Sequence, residues 1–346
     1  PPRSTLFPYT TLFRSLLAWL VHHASPHAPA SAALRAQFDD PGDPKPAAAP
    51  DATALAGCGW GYHYPWQDSG FFQPRHFPNR VVTSWIGFAF LRAHEATGEA
   101  RYLEVCREIA AFLTTNPRVL FEDAHQLCLS YVPLPDIRIA VMDVSALVAA
   151  FLARFARRLP AGDPAAGSAR ATARRLMAFV VDKQTDYGAW FYTWPPGDSP
   201  IRHDNYHTGI ILDCLADAIE FLGEPAWETA YRRGLDYYRD TLFTADGAPR
   251  WMNDRTFPHD IHGAAAGILS FTRAAAHARA CGGDAGVAGR DLETADRILR
   301  WTLANLSDPA GFFYYQKGRI RTNRWCQMRW CNAWMSRALA QRLLAP

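Results

Sequence analysis

Acid–base side chains gather at two places in this chain, each just ahead of an apolar run. The first is Arg202-His203-Asp204-Asn205-Tyr206-His207-Thr208-Gly209, and the second is His259-Asp260-Ile261-His262. Histidine titrates near neutral pH, and a carboxylate beside it sets which ring nitrogen carries the proton. Asp204, Tyr206, His207, Asp260 and His262 are therefore the catalytic candidates, able to take a proton from one atom and return one to another. Asp204 and Asp260 also form the kind of carboxyl pair that splits an acetal when one member is protonated, with Asp143 and Asp254 in reserve. Guanidinium groups at Arg80, Arg255 and Arg329 suit an anionic substrate, because the planar fork engages both oxygens of a carboxylate.

Each group has a plainer role beside this one. Asp204 and Asp260 precede helical runs and can serve as N-caps. Arg80, Arg138 and Arg255 can pair with neighbouring Asp side chains. Asp143 lies in an apolar run, where a carboxylate needs a partner such as Arg138 or an inner histidine. A divalent site can be drawn from His203, His207, Asp260 and His262, since His203 and His207 are four residues apart on one helical face. No motif of the HExxH kind supports it, and the chain is expected to use no metal and no cofactor.

Helical hairpins must position these groups. Arg80 to Thr97, Ile139 to Arg158, Tyr206 to Leu222, Ile261 to Ala280 and Trp325 to Leu344 read as inner helices, apolar over most of their surface. Tyr102 to Leu113, Arg170 to Lys183, Trp227 to Leu242 and Leu292 to Leu306 are more amphipathic and belong outside. Gly98, Asn116-Pro117 and Gly223-Glu224-Pro225 punctuate them, and no alternating strand of any length is read. The loops between hairpins repeat as Gly59-Trp60-Gly61-Tyr62, Gly188-Ala189-Trp190-Phe191-Tyr192, Gly247-Ala248-Pro249-Arg250-Trp251 and Gly311-Phe312-Phe313-Tyr314-Tyr315. Such recurrence marks stacked units that cannot bury their faces alone. Inner helices ringed by outer ones make an all-α (α/α) toroid, and inner N-termini gathered at one mouth favour anions there.

The loop aromatics Trp60, Tyr62, Trp66, Trp190 and Trp251, with Trp330 near the last helix, are expected to stack on sugar rings, whose C–H faces are apolar and whose edges are not. Hydrophobic plugging is the alternative. With Arg80, Asp143, Asn205, Arg255 and Arg329 they make up the substrate-binding candidates.

Helix pairs at this spacing, with Gly-aromatic loops, resemble the six-hairpin glycosidase-like (α/α) toroids from Gly57 to the end. Within that superfamily the chain resembles bacterial proteins associated with polysaccharide loci. The segments that carry this are Trp60-Gly61-Tyr62-His63-Tyr64-Pro65-Trp66-Gln67, Tyr206-His207-Thr208-Gly209, Asp260-Ile261-His262 and Met328-Arg329-Trp330. It also resembles the C-terminal domain of glucuronyl C5-epimerases in Leu91-Arg92-Ala93-His94 and in Thr97-Gly98 with Tyr102-Leu103. The resemblance implies a carbohydrate-active enzyme, and five inner helices rather than six fit an incomplete N-terminus. Joined to the side-chain inventory, it leads to an acidic, uronic-acid-containing glycan acted on by elimination, C5-epimerisation or hydrolysis. Asn205, Tyr206 and His207, with His262 opposite, match removal of a C5 proton better than they match hydrolysis. The alternatives are a non-catalytic glycan-binding or scaffold toroid and an isoprenoid-processing toroid. Against the latter stand the polar mouth and the lack of an Asp-rich acid motif or zinc triad.

Length and composition bound these readings. The 346 residues are 49% hydrophobic and 20% charged, enough for one large domain or two ordinary ones. A net charge of +3 does not point to nucleic acid, and no run approaches a membrane span, so neither partner is expected. Seven scattered cysteines suit thiols in a reducing compartment, which favours the cytoplasm. Residues 1–15 look like the translation of a sequencing adapter and are set aside; without Arg3 and Arg14 the charge falls to +1. Residues 16–56 read as partial helices, Leu16 to Ala24 and Ser31 to Phe38, plus the Pro-rich linker Asp39 to Pro50. Residues 57–346 read as the toroid domain, with the true start of the protein expected to be missing.

Overall fold

The computed structural model describes residues 7–40, 42, 55–67, 71–116, 118–137, 139–282 and 284–345. Arg138, most of the Pro-rich linker and the first six residues lie outside that part. The chain packs as two compact units, residues 1–179 and 180–346.

The first unit holds α1 (Phe7–His22), α2 (Ala32–Arg35), α3 (Arg80–Thr97), α4 (Ala100–Thr115), α5 (Met142–Arg158) and most of α6 (Pro164–Asp182). Helix α1 starts within the residues that resemble an adapter. At the head of α3, Asn79 Oδ1 accepts the backbone N–H of Val82 at 2.8 Å, which satisfies one of the N–H groups a helix start leaves open. Every residue of α5 from Met142 to Ala156 is buried, as expected of an inner helix, whereas α4 buries one face. Helix α5 starts at Met142 rather than Ile139 because Ala140–Val141 is extended.

Helix α3 packs on both α4 and α5. Gly87 of α3 faces Phe151 of α5, and Glu95 further along meets Arg158 at 2.7 Å, so the two inner helices run parallel. Phe90 meets Tyr102 and the Gly87 carbonyl meets the Cys106 thiol, so α4 returns antiparallel.

The α3–α5 contact depends on Gly87. A Cβ there would lie 2.5 Å and 2.7 Å from two ring carbons of Phe151, itself fully buried. Overpacking of this kind costs about 1–3 kcal/mol, which exceeds the roughly 1 kcal/mol of helix propensity that Ala gains over Gly. Gly87→Ala is therefore expected to lower the urea midpoint of unfolding, and an unchanged or higher midpoint would show that Phe151 gives way.

The second unit repeats the plan with α7 (Asn205–Leu222), α8 (Glu228–Leu242), α9 (Ile261–Ala280), α10 (Ala285–Leu306) and α11 (Trp334–Leu344). Helix α7 packs on α8 and α9, and α9 packs on α10 and α11. Asn205 abuts Gly263 and Gly209 abuts Ala266, while His262 meets Trp334 and the Leu269 carbonyl accepts from Gln341, so α7, α9 and α11 are parallel. Gly209 near Tyr238 and Leu212 near Gly234 show α8 returning antiparallel.

The Gly-aromatic loops have one geometry. In three of them Thr185, Thr244 or Asp308 accepts through its carbonyl from Gly188, Gly247 or Gly311, and its own N–H donates to the carbonyl of Ala189, Ala248 or Phe312. All three glycines have φ near +90°, a left-handed conformation that a side chain resists.

Strands among the described residues are short pairs in the connections, none longer than Val119–Glu122. One has a consequence below: His259–Asp260 pairs with Gln316–Lys317, which pairs in turn with Thr322–Asn323. The expected helix over 325–344 is instead a π-helical turn, Met328–Ala333, followed by α11. Among the described residues no helix is long and apolar enough to cross a membrane.

Candidate active site

Parallel packing in the second unit brings the starts of α7 and α9 to one end, with the π-helical turn beside them. Asp204 is the N-cap of α7: its Oδ1 accepts the backbone N–H of His207 at 2.9 Å. Its other oxygen lies 2.7 Å from His207 Nδ1, so the carboxylate holds the proton on that nitrogen and proton exchange falls to Nε2. Burial alone would raise the Asp204 carboxyl, but His207 and the N–H groups of His207 and Tyr206 outweigh it and hold the group below the usual range.

Asp260 caps α9 in the same way, accepting from the His262 N–H at 2.8 Å. Its second oxygen accepts from Gln316 Nε2 at 2.6 Å, a contact that follows from the pairing of His259–Asp260 with Gln316–Lys317. Here burial wins, and the Asp260 carboxyl is raised. Two carboxyl groups at neighbouring helix starts are thus shifted in opposite directions, one by its imidazole and N–H partners and the other by burial.

His262 sits deepest. It is 1% exposed, and neither ring nitrogen has a hydrogen-bond partner among the described residues. Three aromatic rings surround it, with centroids 3.9 Å away for Tyr206, 4.1 Å for Trp330 and 4.7 Å for Trp334. Burial, reinforced by His207, lowers its pKa to about 3, so the imidazole is neutral near pH 7. A neutral ring can accept a proton at one nitrogen and donate from the other. Tyr206 bridges to the Asp204–His207 pair, 5.0 Å from His207, and Tyr192 covers the far face of that ring at 4.6 Å.

Asp204, Tyr206, His207, Asp260, His262 and Trp330 are therefore neighbours. Other expected residues are committed elsewhere. Asn205 is buried and spends its amide N–H groups on the carbonyls of Leu242 and Arg250, both at 2.8 Å, as a latch rather than a ligand contact. Trp190 is a plug, not a stacking platform: it is buried against Gly234 and its indole donates to the Val180 carbonyl at 2.8 Å. Trp251 is half-buried, Arg255 is exposed beside Asp254, and Arg329 is exposed on the π-helical turn. The drawn metal quartet does not assemble, since the His203 ring bonds the Trp190 carbonyl at 2.8 Å and the Tyr187 hydroxyl at 3.0 Å.

In the first unit, Arg80 is fully buried and donates to the carbonyls of Ser130 and Asn116, each at 2.6 Å. Burial pulls its pKa to about 10, which leaves it charged but closed to a substrate. Trp60 is likewise buried, its indole donating to the Leu20 carbonyl at 2.9 Å, and Asp143 is buried in the first turn of α5. Tyr62 and Trp66 remain partly exposed in an aromatic group with Tyr64, where Tyr62 shares a 2.7 Å hydrogen bond with the Tyr131 hydroxyl.

Three members of the site are absent from the sequence-derived set: Tyr192, Gln316 and Trp334. Trp334 follows Trp330 by four residues, one helical turn, which was a usable signal. Nothing local marks Gln316.

Comparison with known proteins finds no matching family model and no matching curated protein. Solved structures do match. A sugar epimerase from a ruminal bacterium aligns at TM-score 0.61 and 13% identity, covering 79% of this chain and 71% of that one. Cellobiose 2-epimerase from Bacillus thermoamylovorans gives 0.59 at 10% identity, covering 76% and 71%. The GH76 α-mannanase of Bacteroides thetaiotaomicron gives 0.56 at 14% identity, covering 82% and 78%. With its helix pairing and these likenesses, the chain has an all-α (α/α) toroid fold.

Proposed function

We propose that this protein is a carbohydrate-active enzyme that breaks the C5–H bond of a uronic-acid sugar, leading to elimination or C5-epimerisation. The observation that carries the reading is the commitment of both Asp204 oxygens to His207. A carboxylate held in that way orients a base and is poorly placed to attack an anomeric carbon or activate water across a glycosidic bond. Both Asp260 oxygens are also engaged, which weighs against hydrolysis by this pair.

In this scheme His207 Nε2 takes the C5 proton, and the electron pair left on C5 is delocalised into the neighbouring sugar carboxylate. Arg329, exposed beside Trp330, counters the charge that builds there. In elimination the C4–O bond then breaks and the departing oxygen takes the proton that the His207 imidazolium gained from C5. In epimerisation a proton returns to C5 from the opposite face; the half-buried Tyr206 beside His207 is the donor and recovers its proton from water. Tyr206, Tyr192 and Trp330 offer flat rings for the sugar. Two of the three structural neighbours above are sugar epimerases, which agrees with proton transfer at carbon.

Incubation with a panel of uronic-acid polymers tests this. Ultraviolet absorbance of an unsaturated product reports elimination, and an altered C5 configuration reports epimerisation. New reducing ends with neither signal would instead make the protein a hydrolase, and bound but unaltered polymer would make it a glycan-binding toroid.

A further inference from the structure

We infer that residues 317–329 form a cationic rail that grips the anionic chain of the glycan beyond the catalytic group. The inference rests on the acidic-substrate reading above and deepens it.

Both ends of this segment touch the candidate site. Gln316, just before it, donates to Asp260 at 2.6 Å, and Trp330, just after it, packs against His262 at 4.1 Å. The segment leaves and returns through the strand pair Gln316–Lys317 and Thr322–Asn323. Whatever occupies the site therefore has this hairpin as a neighbour.

Its charge is one-sided. Between Gln316 and Trp330 stand Lys317, Arg319, Arg321, Arg324 and Arg329 with no Asp or Glu, and no acidic residue follows Asp308 anywhere in the chain. A chain whose whole net charge is +3 thus concentrates five cations beside one site. Several arginines elsewhere are ion-paired, for example Arg107 with Asp163, Arg158 with Glu95, Arg239 with Asp291 and Arg342 with Asp296. Arg319, Arg321 and Arg324 are exposed and make no ion pair among the described residues. Arg319 lies over the Phe257 ring at 5.6 Å and Arg324 over the Tyr314 ring at 5.3 Å, which steadies the stems; Asp308, bonded to the Tyr314 hydroxyl, offsets part of the Arg324 charge, whereas Arg319 and Arg321 keep theirs.

Apolar surface is left open on the same segment. Ile320 is 92% exposed, Trp325 70% and Met328 83%. A broad indole among exposed guanidinium groups suits a polymer with apolar ring faces and carboxylate edges, and a neutral glycan would leave the charges without purpose. The occupant that fits is a polyuronate strand.

The test compares the full-length protein with the triple variant Arg319→Ala, Arg321→Ala, Arg324→Ala. Binding to polygalacturonate and to uncharged dextran is measured by calorimetry as salt rises from about 50 to about 200 mM. Three exposed charge contacts together should weaken polygalacturonate binding by roughly tenfold to a hundredfold and flatten its salt dependence, with dextran unaffected. Turnover of a short uronate oligosaccharide should be unchanged, since none of the three is placed in the catalytic group. Single reversal, Arg321→Glu, should weaken the polymer in the same direction and guards against an unfolded triple variant. Equal polygalacturonate affinity in wild type and variants would overturn the rail, as would a wild type that binds duplex DNA through these arginines and ignores polyuronate. Charge-dependent polymer binding with no turnover in any variant would sink the catalytic reading and leave the rail standing.

Discussion

Replacing His207 by Ala is expected to lower kcat on a uronate substrate by about 10²- to 10⁴-fold, the usual contribution of a positioned general base, while substrate binding changes little. Loss confined to kcat would place the residue in the proton transfer; an effect confined to KM would make it a binding contact. Asp204→Asn separates catalysis from folding at the same spot. Asparagine caps helices about as well as aspartate, so the start of α7 and the thermal midpoint should survive. The amide cannot hold Nδ1–H as a carboxylate does, so the tautomer is no longer fixed and kcat should fall with that of His207→Ala. Equal activity in Asp204→Asn and wild type would reduce Asp204 to a cap.

The second large effect is on acid stability, through His262. Its folded pKa is near 3, against an ordinary value of 6.5. Below pH 6.5 the unfolded chain takes up a proton that the folded chain refuses until about pH 3. The contribution of this group is therefore complete above pH 6.5 and is lost as the pH drops toward 3, by about 5 kcal/mol in all. Asp204, whose pKa is lowered, adds to the loss as acid protonates it, and Asp260, whose pKa is raised, opposes it. His262→Phe keeps a flat ring among Tyr206, Trp330 and Trp334 but has nothing to protonate. Its unfolding free energy should decline less than that of wild type through pH 6 to 4, the remaining fall coming from His27, His76, His203 and His259, whose pKa values burial also lowers. Parallel curves for the two proteins would mean that His262 gains a partner or solvent as the pH falls.

The inner helices are legible in the sequence because burial on most sides leaves a record. The apolar run of α5 and the three/four spacing of α7 each have one reading, and the Asp204 and Asp260 caps are local signals. Outer helices are less well bounded. Helix α10 starts at Ala285 rather than Leu292 and α6 at Pro164 rather than Arg170, since their first turns carry few buried residues.

The site is legible where helix starts supply it, in Asp204, His207, Asp260 and His262. Contacts made through strand pairing are not. The strand His259–Asp260 is two residues long, too short for alternation, so nothing in the sequence ties Gln316 to Asp260. The π-helical turn before α11 is equally silent, because one extra residue in a turn alters no composition. Aromatic residues mislead in another way: Trp60 and Trp190 have the same sequence signature whether they plug a core or face a ligand. Their indole bonds to the carbonyls of Leu20 and Val180 settle the matter. Arg80 shows the same limit, a cation suited to carboxylates but wholly used by backbone carbonyls.

Abstraction of a carbon-bound proton by the Asp204–His207 pair is the claim on which the rest depends. Initial rates on a uronate oligosaccharide carrying either hydrogen or deuterium at C5 test it most directly. The account predicts slower turnover of the deuterated substrate, with product formation in His207→Ala reduced by about 10²- to 10⁴-fold. Equal rates for the two isotopes, with new reducing ends released, would contradict it.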